Sequence, residues 1–330
     1  MTSNWQTQLA SAFTDIETLC TYLQLSPNDL NLSADAAKDF PLRVPLAFAK
    51  RIEKGNVHDP LLRQILPISD ELQIYAGFTY DPVGDLNAVK QTGLLHKYHG
   101  RVLLINTGAC AIHCRYCFRR NFPYADLQLS KQQENDVFQM IKNDKSIQEV
   151  ILSGGDPLIL NDARLMQLFD SLEKIPTLKR IRIHTRLPIV LPDRVTDKLL
   201  TLLKNSMKKI IVVVHCNHAN EIDADVAKAC ERLKSAGVTL LNQSVLLRGV
   251  NDSPEVLCDL SERLFEIGAL PYYLHFLDKA TGTGHFQVSK PEALMLLTAL
   301  QNRLSGYLVP KLVIEKAGEL AKQNLSIHYI

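Results

Sequence analysis

The stretch "CAIHCRYCF", residues 110–118, sets Cys110, Cys114 and Cys117 at the spacing C-x3-C-x2-C. The chain has seven cysteines in all, and the next after this group, Cys216, lies about a hundred residues on. An odd number in one tight group cannot close into a disulfide framework, and a chain of 330 residues needs no such stapling. Three thiolates on a short loop suit a soft metal. The choices are zinc short of its fourth ligand, or an iron–sulfur cluster with one iron left open. Three reduced structural thiols are the inert alternative.

Other polar, unusual residues follow apolar runs. "SGGDP" (153–157), "HTRLP" (184–188), "HCNH" (215–218), "NQSVLLRGVND" (242–252) and "LDKATGTGHF" (277–286) all do so. The runs themselves are β-branched and nearly continuous: "RVLLINT" (101–107), "EVILSGG" (149–155), "RIRIHTR" (180–186), "KIIVVVHC" (209–216), "VTLLNQSVL" (238–246) and "PYYLHFLD" (271–278). Helical-length segments such as "DARLMQLFDSLEKI" and "DADVAKACERLKSAG" separate them. Apolar strands alternating with helices predict an α/β fold with a parallel sheet covered by helices. Six units are two short of a full (β/α)8 barrel, so the expectation is a partial (β/α)6 barrel, with a doubly wound sheet as the alternative. Either architecture gathers the strand-end motifs on one rim. Ahead of the sheet, residues 1–95 read as a mainly helical extension. "NWQTQLASAFTDIETLCTYLQL" has helical spacing, Ser26-Pro27 reads as a helix start, and "PLRVPLAFAKRIEKG" reads as an amphipathic helix ending at Gly55. Asp81 to Gly93 reads as a linker. The barrel is expected over 96–290, and a last helix with a tail over 291–330.

Charge narrows the partners. A formal net charge of +2, from 37 basic and 35 acidic side chains, lacks the field of a nucleic-acid binder. No apolar run reaches the length of a membrane span, and no basic segment followed by an apolar stretch marks the N-terminus as a signal peptide. With free cysteines, a reducing cytoplasm is the expected compartment.

The cysteine spacing after the first barrel strand resembles the radical SAM signature, and "SGGDP" is similar to that superfamily's second-strand motif. "CRYCFRR", "SGGDPL", "NQSVLLRGVND", "PYYLHFLD" with "GHF", and "SGYLVP" together resemble the lysine 2,3-aminomutase family, from about His96 to Lys322. The resemblance implies a [4Fe-4S] cluster on Cys110, Cys114 and Cys117, with S-adenosylmethionine (SAM) on the open iron. It also implies SAM contacts from Ser153, Gly154, Gly155, Asp156 and His215. Pyridoxal 5′-phosphate (PLP) is implied as a second cofactor, held through Lys322, with Lys97, Tyr98, Arg101 and Gln243 at its phosphate. Arg119 is the implied clamp for the substrate α-carboxylate, and Asp278 and Glu315 the pair for its ε-ammonium.

The activity so implied is transfer of the amino group of L-lysine from C2 to C3, driven by an external electron donor. The short ending is similar to the branch whose β-lysine, in its (R) form, modifies elongation factor P through a lysine ligase. Three positions depart from the longer family members. Lys97 stands for an arginine and Glu315 for an aspartate, while "KAGELAK" replaces a glycine run before Lys322. A glutamate aminomutase, a radical SAM RNA methyltransferase and a non-catalytic zinc or redox protein are the rival readings. Two acids at the substrate end disfavour the first, and the want of a cysteine after Cys258 disfavours the second.

Overall fold

The computed structural model describes residues 4–326 except Gln128 and Ser130. The termini of the first and last expected regions thus lie outside the described residues. One ten-stranded sheet organises the chain, its strands lying side by side in sequence order. These are β1 (Val89–Gln91), β2 (Leu94–Tyr98), β3 (Arg101–Thr107), β4 (Glu149–Gly154), β5 (Arg180–Thr185), β6 (Lys209–His215), β7 (Thr239–Val245), β8 (Leu270–His275), β9 (Lys311–Ile314) and β10 (Gln323–Asn324). Neighbours from β3 to β9 pair in parallel, while β1–β2, β2–β3 and β9–β10 are antiparallel. The sheet is open, and β3–β8 are the six strands expected of a partial barrel. The tail adds a seventh parallel strand, β9. Its run "KLVI" is four residues long, too short to stand out by periodicity.

Helices cover the outer face, at least one in each parallel crossover, as parallel pairing requires. Side-chain caps start them: Asn161 accepts from the Arg164 amide at 2.8 Å, and Asp223 from the Val226 amide at 2.9 Å. The helix Asp162–Glu173 buries Leu165, Leu168, Phe169 and Leu172, which share one core with the outward residues of β4 to β6. Strand alternation turns every second residue the other way, into the barrel. In β5, Ile181 and Ile183 are fully buried while Arg182 and His184 face inward, half-buried. Register aligns His215 with Gln243, and Gln243 with Tyr273, so one inward layer crosses three strands.

The N-terminal region is less helical than its spacing predicts. The first expected helix is two, Trp5–Ala10 and Ile16–Leu23. Between them Phe13 exchanges backbone hydrogen bonds with Val44, and Asp15 caps the second. Ser26-Pro27 opens only a short 3-10 turn, Pro27–Asp29. Pro45 precedes a single helical turn, Leu46–Ala49, where a longer helix was expected. The expected linker is an ordered strap. It contains the turn Leu86–Ala88 and β1, and it buries Val83 and Asp85. Tight turns and inward acids have no sequence period, so nothing in the pattern announces them.

Candidate active site

The cysteine loop leaves the end of β3 and is clamped from outside the barrel. The His113 amide donates to the Arg43 carbonyl at 3.0 Å, and the Arg115 amide to the Gln64 carbonyl at 2.8 Å. The fully buried Arg115 forks onto Glu71, with Nε to Oε1 at 2.8 Å and Nη2 to Oε2 at 2.5 Å. Arg120 joins the same carboxylate at 2.8 Å. The N-terminal extension therefore sets the loop's shape. Its three thiols are free, and burial together with neighbouring sulfurs holds Cys110 well above the usual thiol range and pushes Cys117 up to about 11. Arg186, at the end of β5, donates from Nη1 to the Cys114 sulfur at 2.8 Å.

Among the described residues, no three potential ligands converge on a single ion. Zinc would draw every sulfur to within about 2.3 Å of one point. A cube takes one thiolate on each of three irons and leaves the fourth open, a role that the three soft donors of this one loop can fill.

Beside that loop lies the end of β4. Gly154 has φ +117°, and a Cβ there would stand 2.4 Å from the Thr107 carbonyl oxygen. A Cβ on Gly155 would stand 2.2 Å from the Ala109 oxygen. Only glycine allows this approach of β4's exit to the cysteine loop. Tyr124 donates its hydroxyl to the Gly154 carbonyl at 2.5 Å. Asp156 is accounted for inside the protein: it accepts from the Thr185 hydroxyl at 2.7 Å and from the amides of Arg186, Leu187 and Leu158. Its carboxylate ties the β4 exit to the β5 exit rather than facing an open surface.

Further into the barrel, side chains distant in sequence form one chain of alternating charge. Arg119 Nε pairs with Asp85 Oδ2 at 2.6 Å, and Asp85 Oδ1 with Lys97 Nζ at 2.5 Å. Lys97 also pairs with Glu315 Oε1 at 2.9 Å, and Glu315 Oε2 with Lys322 Nζ. Burial pushes Glu315 up, but Lys322 and Lys97 outweigh it and hold the carboxylate well below its usual range. Tyr98 lies against Glu315, and the Arg101 guanidinium stacks 4.6 Å from the Tyr98 ring centroid. Across the barrel, Gln243 Nε2 meets His215 Nε2 at 2.7 Å. Burial beside Arg186 and Arg119 pushes His215 down to about 3, so it is neutral.

Asp278 and Glu315 line one cleft, between residues 77–82, the loop after β8 and the exit of β9. Among the described residues Asp278 has no ion pair of its own. Burial pushes it up to about 7, with Lys322 pulling the other way.

The interior also leaves polar atoms unpaired among the described residues: both amide atoms of Asn106, and Nε2 of His184 and His275. Buried polar groups ordinarily find partners, so this lining fits a polar bound group such as PLP. The structure thus brings together Lys97, Tyr98, Arg119, Asp278, Glu315 and Lys322, with Arg101 stacked beside them. The cysteines and the β4 exit meet at the barrel mouth, where Arg119 Nη1 reaches Ser153 Oγ at 3.2 Å. Sequence reasoning missed Asp85, Arg186, His184 and His275. The two histidines are readable in retrospect, because strand alternation puts every second residue inside. Asp85 lies in a turn-rich strap that carries no such signal.

Fold and site together define a radical SAM enzyme, and residues 104–260 match the Radical SAM superfamily. The L-lysine 2,3-aminomutase of Escherichia coli (strain K12) is 48% identical over 98% of this chain and 95% of its own. That of Haemophilus influenzae is 48% identical over 96% and 94%, and that of Clostridium subterminale 32% identical over 99% and 79%. The chain belongs to the lysine 2,3-aminomutase family. A [4Fe-4S] cluster, SAM and PLP are the cofactors that membership brings.

Proposed function

We propose that the protein is an L-lysine 2,3-aminomutase that makes (R)-β-lysine. The observation that carries this reading is Asp278, a half-buried carboxylate without a cation of its own, in one cleft with Glu315. Such a pair recognises an ammonium and repels a second carboxylate, which favours lysine over glutamate. Glu315 holds the Lys322 ammonium in the present state. With Lys322 holding PLP, Oε2 of Glu315 would be open to the substrate's ε-ammonium while Oε1 keeps Lys97.

When bound, the cluster and SAM supply the radical that takes hydrogen from C3, and PLP supplies the delocalisation that lets nitrogen pass from C2 to C3. The chain's own residues bind, orient and shield. Cys110, Cys114 and Cys117 would hold three irons, with Arg186 steadying the second thiolate. Ser153, Gly154, Gly155 and His215 would take SAM, with Asp156 fixing the β4 exit that carries the first three. Tyr98, Arg101 and Gln243 would hold the PLP phosphate, with Lys97 adding a point charge once it exchanges one of its present acceptors, Asp85, Glu315 and the Val83 carbonyl. Arg119, flanked by the rings of Phe118 and Phe122 at 4.9 and 5.8 Å, takes the α-carboxylate.

An external reductant supplies the electron. The product serves a lysine ligase acting on elongation factor P in the cytoplasm, with no nucleic acid or membrane involved. No helix among the described residues is long and apolar enough to cross a membrane. The test is anaerobic reconstitution with iron, sulfide and PLP, then SAM, reductant and either L-lysine or L-glutamate, with products separated on a chiral column. (R)-β-Lysine from lysine alone is the expected result. β-Glutamate, or SAM cleavage with lysine unchanged, overturns the substrate. SAM left intact in the loaded, reduced protein overturns the reaction class.

A further inference from the structure

We infer that Asp85 is a positioning residue that aims Arg119 at the substrate α-carboxylate and ties that clamp to the cofactor-side ammonium of Lys97; the inference rests on the lysine aminomutase reading. Arg119 is confined on nearly every side. The Phe118 and Phe122 rings flank its guanidinium, Asp85 takes Nε at 2.6 Å, and Ser153 Oγ accepts from Nη1 at 3.2 Å. Among the described residues Nη2 has no partner and Nη1 spends only one of its two N–H groups, so the outer edge of the guanidinium remains a two-pronged donor for an incoming anion. A guanidinium without the Asp85 anchor can swing about its long stem, and a fork placed in advance binds a carboxylate with less ordering cost.

The same carboxylate spends its other oxygen on Lys97, 2.5 Å away. Asp85 is itself held firmly. Its side chain is 3% exposed, its amide donates to Asp81 Oδ1 at 2.8 Å, and Lys97 Nζ also donates to the Val83 carbonyl at 2.9 Å. The neighbouring Gly84, at φ +67°, would place a Cβ 2.8 Å from that of Ala317. The strap is thereby pressed onto the segment that carries Glu315. Asp85 thus joins the carboxylate end of the substrate site to the lysine end through Lys97 and Glu315.

Two amines separate a positioning role from a merely structural one. L-Lysine and 1,5-diaminopentane can each displace Lys322 from PLP, and only lysine has a carboxylate for Arg119. The cluster-reconstituted, PLP-loaded protein is titrated anaerobically with each amine, and the visible PLP absorbance is followed without SAM, so no turnover is needed. In Asp85→Asn, the apparent lysine affinity is expected to fall on the order of tenfold, the scale of one charged hydrogen bond. Diaminopentane binding should weaken by much less than lysine binding, any loss reporting the disturbed Lys97–Glu315 side, and Asp85→Glu should recover part of the lysine affinity. Equal weakening of both amines, or unchanged lysine binding, overturns the inference alone. A wild-type protein that responds to neither amine overturns the substrate reading, and the inference with it.

Discussion

Lys322 has two jobs that one substitution can separate. Its ammonium balances Glu315 in the resting site, and its amine must hold the cofactor. Lys322→Arg keeps a cation beside Glu315 but cannot exchange an imine at ordinary pH. The variant should unfold at nearly the wild-type denaturant midpoint, yet show no visible PLP band after loading. Asp278 makes a second residue-scale prediction. Only its ionised form attracts an ammonium, and burial pushes it up to about 7. Apparent lysine affinity, read from the PLP band, should therefore strengthen as pH rises from 6 to 8 and the proton leaves. In Asp278→Asn that pH dependence should flatten and affinity should be low throughout. A wild-type profile flat over this range would count against Asp278 as the ammonium's partner. The unpaired Nε2 atoms of His184 and His275 add neutral hydrogen-bonding capacity to the interior, since burial near Lys322 and other cations holds both rings well below their usual range.

At the scale of elements, the cysteine loop depends on the part of the N-terminal extension that precedes the strap and clamps the loop from outside the barrel. Glu71 is the pivot, because Arg115 and Arg120 both end on its carboxylate. Removing one partner of a buried pair strands the other charge and costs about 3–5 kcal/mol. Glu71→Gln should lower the urea midpoint accordingly, and the reconstituted protein should hold less iron per chain. Iron content equal to the wild type's would show that the loop keeps its shape without this clamp. The β4 exit makes the matching prediction at close range. Gly155→Ala forces a methyl against the Ala109 carbonyl, at the 2.2 Å approach noted for its Cβ. Backbone must move there, so SAM cleavage should fall sharply while the urea midpoint changes by less than for Glu71→Gln.

Over the whole molecule, the alternating chain from Arg119 to Lys322 joins the strap, β2, the cysteine loop and the tail. It also makes stability depend on acid. Asp85 and Glu315 are held below their ordinary carboxylate values by the cations around them. Their contribution is complete above about pH 5 and drains away as pH falls through 4 and the unfolded chain takes up protons first. Asp278 and the buried histidines titrate on unfolding as well, so the two acids are read by difference: between pH 5 and pH 3 the urea midpoint of the cofactor-free wild type should fall more steeply than that of Glu315→Gln, and from a higher start. Much of this protein is written in local pattern. The spacing of Cys110, Cys114 and Cys117 marks the cluster loop. Six β-branched runs between helical segments mark the partial barrel, because strand and helix periods are set by residues close in sequence. Strand-end position alone puts the polar motifs on one rim. What only the tertiary structure decided is who pairs with whom. Lys97 and Glu315 are separated by 218 residues along the chain, and Asp85 sits in a strap that reads as a linker. Charges attract through space rather than along the chain, so their partners exist only once ten strands, a strap and a tail have closed around one interior.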